Sequence, residues 1–196
     1  PMEGYASHLF TTRPWRLGAS ASAHDAGAWP EVAAAMAVET PRLARLRQVH
    51  GSTAVTYRRG ASLPAEGVLP EADIVISDVP GVALAVQTAD CVPVIMIDRR
   101  LGVAAAVHAG WRGLVARAPV TAVERMARDF GTRPDDLLVA IGPAIGSCCY
   151  EVGPEVRTQF ERASFTPSQL RAWFSAVPVA SGLNPAMTSL SPVRRE

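Results

Sequence analysis

The chain has 196 residues, 48% of them apolar and only 6% aromatic, a length that builds one stable core, or two closely packed halves, without disulfide staples. Its formal charge is +1, every one of its 19 basic residues is arginine, and no basic run stands out, which argues against nucleic-acid or membrane partners. Three cysteines, two of them adjacent at Cys148 and Cys149, make no disulfide framework; with no apolar stretch of bilayer length and no signal pattern, a cytoplasmic, reducing setting is expected.

The first predicted strand covers residues 5–12. The Ala-, Ser- and Gly-rich stretch after it carries a helical signal only at 31–38, followed by an extended run at 43–49. Thr and Val content marks a strand at 52–57, and Pro, Gly and Glu make 60–71 a loop. The β-branched strand 73–77 is stopped by the turn Asp78-Val79-Pro80-Gly81. Strands follow at 82–87 and 92–97, the latter with Pro93 near its start, where a missing donor costs least. After the turn at Asp98-Arg99-Arg100 comes a strand at 101–107. These runs are nearly continuous in apolar residues, so both sheet faces should be covered.

A helix is predicted over 113–130, starting near Pro119 as a first-turn residue. Val123, Met126, Ala127 and Phe130 form its apolar face, and Gly131 ends it. A buried strand at Leu137–Ile141 and an amphipathic helix at 154–163 complete the regular part. Beyond Ser164 no period is visible, and Pro178, Pro185 and Pro192 would interrupt any element. Residues 164–196 are therefore expected to be atypical or incomplete and to add little to the core. The mixture predicts an α+β fold in which mixed β-sheets and flanking helices form a layered sandwich, with 1–196 as a single domain.

Three segments end a predicted strand on a metal-competent side chain beside small residues: Arg47-Gln48-Val49-His50-Gly51, Thr88-Ala89-Asp90-Cys91-Val92-Pro93 and Val107-His108-Ala109-Gly110-Trp111-Arg112-Gly113. Strand ends converge at one rim of a sheet, so residues far apart in sequence can meet there. Two imidazoles and a thiolate suit Zn²⁺ or a copper ion, and three protein ligands with an open position describe a catalytic zinc site. Water in such a position has its pKa lowered toward about 7. Asp90, beside Cys91, is placed to orient a ligand or accept a proton. Spacing alone does not decide this: there is no CxxC or HExxH pattern, a single His in an apolar run is commonly a hydrogen-bonded core residue, and Cys91 alone reads as a small buried hydrophobe.

The strings His50-Gly51, Thr88-Ala89-Asp90-Cys91-Val92-Pro93, His108-Ala109-Gly110-Trp111-Arg112-Gly113 and Ile141-Gly142-Pro143-Ala144-Ile145-Gly146, followed by Cys149-Tyr150-Glu151-Val152-Gly153, resemble the YfiH family in the right order over 45–156. That family was long labelled laccase-like multicopper polyphenol oxidase and is now described as purine nucleoside phosphorylases with adenosine deaminase and methylthioadenosine phosphorylase activity. The resemblance implies one Zn²⁺ (or copper) site on His50, Cys91 and His108, coincident with the catalytic centre. It also implies small-molecule substrates, a purine nucleoside and phosphate. Arg112 is the arginine expected to meet phosphate, because phosphorolysis needs a cation there. An SLNLG-like string is missing from 13–28, and the family's closing strings are missing after Pro167, which implies a truncation, a frameshifted gene or a diverged end and leaves the walls of the substrate pocket open to question.

Other readings of the same residues stand beside this one. Gly142-Pro143-Ala144-Ile145-Gly146 lacks the Lys-Ser/Thr of a P-loop and reads as a turn lining the site. Cys148 and Cys149 read as wall residues, since adjacent cysteines grip one metal ion poorly. Blue-copper chemistry wants an axial Met beside His₂Cys, and only four histidines, His8, His24, His50 and His108, are present. The deaminase signature pairing His-x-Glu with Pro-Cys-x-x-Cys is absent, so deamination would use another layout. The rivals are a copper-dependent phenol oxidase, a hydrolase acting on an amide with Cys91 as nucleophile and His108 as base, and a non-catalytic metal-binding protein.

Overall fold

The most apolar runs form the longest strands. In the computed structural model, which describes residues 2, 4–11, 17, 28–61, 63, 69–176 and 188–190, the chain divides into two compact units, Pro1–Pro143 and Ala144–Glu196. In chain order the first unit holds helix α1 (Trp29–Ala35) and strands β1 (Leu43–Ala44), β2 (Ala54–Tyr57), β3 (Ile74–Ser77), β4 (Ala83–Leu84), β5 (Val92–Asp98) and β6 (Val103–Ala109). Helices α2 (Trp111–Val115) and α3 (Ala118–Phe130) and strand β7 (Leu137–Ile141) follow.

A five-stranded sheet in the order β2-β3-β6-β5-β7 is the frame of this unit. The β2–β3 pair is parallel and the remaining pairs are antiparallel. Side chains alternate across its two faces, and both faces are covered, as the continuous apolar runs require. Ile74, Ile76, Val103, Ala105 and Val107 pack against Ala118, Ala122 and Met126 of α3. Val75 and Ala106 face the other way, onto Tyr57, Ala72, Ala44 and Leu46. There β1 and β4 form a second, two-stranded parallel ladder. The layered α+β expectation holds, with mixed sheets and a helix on one face.

Details depart from the sequence reading for local reasons. Residues 5–11 carry no strand, and residue 12 lies outside the described residues. The extended run at 43–49 pairs only at Leu43–Ala44, with a single bridge from Arg47 to Glu71, and the run at 82–87 pairs only at Ala83–Leu84. The predicted helix 113–130 is two helices. Pro119 has no N–H to give the Val115 carbonyl, and the chain breaks at Arg117, which is left-handed at φ 58°. Met126 of the predicted stripe is fully buried and Val123 and Phe130 pack against the same core, which Ala118 and Ala122 extend. Strand β7 is an edge with Val139 and Ile141 exposed, rather than a buried strand.

The second unit corrects the expectation for the tail. It contains β8 (Glu151–Val152), α4 (Pro154–Arg162), α5 (Pro167–Trp173), β9 (Phe174–Ala176) and β10 (Thr188–Leu190). Strand β10 lies between β8 and β9, antiparallel to both. Helix α5 begins on a capping box, with the Thr166 hydroxyl accepting from the Gln169 amide and the Gln169 side chain accepting from the Thr166 amide. Phe160 of α4 is 1% exposed and meets Phe165, Trp173 and Phe174 at ring-centroid distances of 5.3, 6.0 and 5.5 Å. Residues 165–174 thus add to a core of their own. Pro178, Pro185 and Pro192 lie outside the described residues.

Candidate metal centre

His50, Cys91 and His108 come from three places in the chain and meet at one rim of the five-stranded sheet. The ligand atoms of the three lie within 4.8 Å of one another, and among the described residues this is the group with donors placed to hold a metal ion. His108 is on β6, opposite Pro93 of β5, and Cys91 immediately precedes β5. His50 sits on the loop before β2, exposed and left-handed at φ 61°. The two imidazoles lie edge to face with centroids 4.7 Å apart.

One residue that the sequence reading missed holds two of these donors in place. Asp73, fully buried immediately before β3, accepts through Oδ1 from the His50 amide at 2.9 Å and from His108 Nδ1 at 2.7 Å. Its Oδ2 accepts from the Gly51 amide at 2.6 Å and the Val49 amide at 3.3 Å. The main chain adds a bond from the His108 amide to the Asp73 carbonyl, 2.8 Å. A carboxylate only accepts, so the His108 proton is on Nδ1 and the lone pair of Nε2 is left for a metal, the pattern by which carboxylates orient ligating histidines. The signal in the sequence was a carboxylate entering a wholly apolar strand, Ala72-Asp73-Ile74-Val75-Ile76; a buried charge needs partners.

The loop carrying His50 is fixed from its other side by Gln48. Its amide nitrogen donates to the Gln87 carbonyl and its amide oxygen accepts from the Gln87 N–H, both at 2.7 Å, so a side chain replaces a strand neighbour. Close approach is permitted by Gly110: a Cβ there would lie 2.8 Å from Cys91 Sγ and 3.2 Å from the His50 ring. Gly113 likewise faces the Gly51 carbonyl, which would lie 3.0 Å from a Cβ there.

Burial pushes the Cys91 thiol above its ordinary pKa, and the nearby Asp90 and Asp73 carboxylates add to the shift. Asp90 itself is exposed beside Cys91. Arg112, also exposed, is the second residue of α2 and lays its guanidinium over the Trp111 ring, 4.4 Å from the centroid.

The chain matches the family model described as multi-copper polyphenol oxidoreductase laccase over residues 25–178. The chain belongs to this family. A purine nucleoside phosphorylase of Streptomyces griseus is 34% identical over 97% of this chain and 82% of its own length. One of Deinococcus radiodurans is 41% identical over 67% of this chain and 49% of its own. An adenosine deaminase from an unknown prokaryotic organism is 37% identical over 66% of this chain and 51% of its own. The chain spans about half the length of most of the curated relatives it matches. Among solved structures, the Bacillus licheniformis protein YfiH superposes with a TM-score of 0.73 at 24% identity, over 87% of this chain and 65% of that one. The Geobacillus stearothermophilus protein YlmD gives 0.68 at 27% identity, over 87% and 64%. The YfiH-like resemblance of the sequence strings is thereby borne out, and the fold is that of the family.

Proposed function

We propose that this YfiH-family chain is a metal-dependent purine nucleoside phosphorylase, acting on adenosine, inosine, guanosine and methylthioadenosine, with adenosine deaminase activity at the same centre. The observation that carries this reading is the convergence of His50, Cys91 and His108 within 4.8 Å, with His108 held through Nδ1 by Asp73. The relatives named as phosphorylases and deaminases supply the substrate class. Two imidazoles and one thiol fit Zn²⁺, with copper as the alternative, and Gly110 packs so near His50 and Cys91 that a Cβ there would crowd both donors. When bound, the metal supplies Lewis acidity and activation of water at neutral pH.

The chain's own residues carry the rest of the reading. Asp73 fixes the tautomer and direction of His108 and, through the His50 and Gly51 amides, the loop of His50. Asp90 lies at the exposed lip, placed to accept a proton. Arg112 offers a fork already pre-oriented by stacking on Trp111, suited to two oxygens of phosphate. In phosphorolysis a phosphate oxygen bonds to the anomeric carbon as the C–N bond to the purine breaks; in deamination water adds at C6 and ammonia leaves. The cytoplasmic setting belongs to the same proposal; among the described residues no helix is long and apolar enough to cross a membrane.

A Cys91 nucleophile is disfavoured by the site itself. Reactive cysteines have thiol pKa values lowered by positive neighbours, whereas Cys91 is pushed up by burial and two carboxylates. Phenol oxidation retains one support, the laccase description of the family model. An anaerobic assay with inosine and phosphate, beside an aerobic phenol assay with added copper, separates the two readings. Base release that requires phosphate and is lost in Cys91→Ala is the expected result. Phenol turnover without any base release would overturn it. Arg112→Lys should weaken the apparent affinity for phosphate more than that for nucleoside; equal weakening of both would remove Arg112 from the phosphate site.

A further inference from the structure

Outside the metal centre, the second unit carries a pair of adjacent thiols. Cys148 and Cys149 are adjacent, both exposed and both unoxidised. Their sulfurs lie 3.2 Å apart in a thiol–thiol hydrogen bond. The turn that presents them is fixed, because the Cys149 and Tyr150 amides both donate to the Gly146 carbonyl, at 3.0 and 3.1 Å.

Three uses of such a pair differ in what they require. A disulfide needs sulfurs at about 2.0 Å and Cα atoms about 4.4–6.8 Å apart, but neighbouring Cα atoms across a trans peptide are held at about 3.8 Å. The bridged form would be strained and easily reduced, so the dithiol is the stable state. Zinc needs about four donors in a tetrahedron, and no further His, Cys, Asp or Glu among the described residues joins these two in a metal-binding group. A three-coordinate, thiophilic centre needs only two sulfurs on one side, and these two already sit side by side.

We propose that Cys148 and Cys149 together form a binding site for one trivalent arsenical. The reaction is a condensation with no change of oxidation state. An arsenoxide R–As=O takes one thiol at each of two As–S bonds; both S–H bonds break, and the two protons leave with the arsenic-bound oxygen as water. Both groups enter the balance as thiols, and their sulfurs are already side by side at 3.2 Å. The ring that closes is small, and its entropy cost is low because both donors are held by one turn.

The test uses the full chain and phenylarsine oxide, in the presence of excess monothiol to strip singly attached arsenic. Mass spectrometry of the intact protein should show one phenylarsenic per chain, removed by a dithiol reagent. Digestion after arginine separates Cys91 from the pair, because Arg112 and Arg125 lie between them, and the adduct should be on the peptide carrying Cys148 and Cys149. Cys148→Ser and Cys149→Ser should each lose the monothiol-resistant adduct at least tenfold, while Cys91→Ala keeps it. An adduct that survives in either serine variant, depends on Cys91, or bridges two chains overturns the proposal. Near-native circular dichroism of the serine variants, whose changes are at exposed positions, excludes unfolding as the cause of loss; should either unfold, the peptide location in the unaltered chain decides alone.

Discussion

Replacing Asp73 with Asn is the sharpest probe of the centre, because it changes one atom's chemistry at constant shape. Each carboxylate oxygen now serves two donors: Oδ1 the His50 amide and His108 Nδ1, Oδ2 the Gly51 and Val49 amides. An amide offers one acceptor oxygen, so in either orientation its NH₂ faces a pair of N–H donors. With the oxygen toward His108, two bonds to the loop amides are lost and a donor–donor contact replaces the 2.6 Å approach of Gly51. Hydrogen bonds to a charged acceptor are worth about 1.5–3 kcal/mol each, the longer Val49 bond less, and the loss is about 3 kcal/mol of stability in the metal-free chain. With the amide reversed, His108 loses the acceptor that fixes its tautomer, and metal affinity falls by about 10–100-fold. Both quantities are measurable: stability from the urea midpoint of metal-free protein, and zinc affinity by competition with a chromophoric chelator. The expected result is a loss in both, with Asp73→Ala worse than Asp73→Asn. Zinc affinity unchanged within about threefold would refute the positioning role even if stability dropped, since Asp73 would then serve the fold alone.

Gly110→Ala places a Cβ against Cys91 Sγ and the His50 ring; zinc affinity should fall at least tenfold with little loss of metal-free stability, read by the same chelator competition. Asp98, fully buried at the end of β5, is pushed up in pKa by burial. The Leu101 and Arg100 amides at 2.9 and 2.8 Å and the charge of Arg100 outweigh that and hold it below its ordinary value. A carboxyl depressed in the folded state stabilises fully above its unfolded pKa of about 3.9 and loses that contribution as pH falls through the folded value. Urea midpoints should therefore fall more steeply below about pH 4 in the unaltered chain than in Asp98→Asn, and parallel curves would show the pairing to be inert. Thr166→Ala removes the cap of α5 and should cost about 1 kcal/mol, seen as faster amide exchange over Pro167–Trp173; unchanged exchange would mean that packing alone holds this helix.

The sequence by itself determined the strands that bury both faces and the candidate donors at their ends. Runs such as Asp73-Ile74-Val75-Ile76 and Val103 through Val107 leave an extended chain no solvent-facing side, so a covered sheet follows from composition and period alone. The strings around His50, Cys91 and His108 named the family before any coordinates. Elsewhere local signals misled. Ala83–Leu84 is a short strand because pairing partners run out, not because the apolar run does, and α3 starts where Pro119 interrupts the hydrogen-bond ladder. The capping box Thr166-Pro167-Ser168-Gln169 is legible in the sequence and marks the start of α5.

Tertiary structure alone decided the rest, because it rests on distances between residues far apart in the chain. Asp73 lies 35 positions from His108 and 23 from His50; the antiparallel pairing of β3 with β6 brings its carboxylate to His108, and the parallel pairing of β2 with β3 brings in the loop of His50. The Gln48–Gln87 tie and the need for glycine at position 110 are likewise set by which segments approach, which periodicity does not encode. A sequence specifies what a strand can bury; the sheet register specifies which charge lies beneath which imidazole.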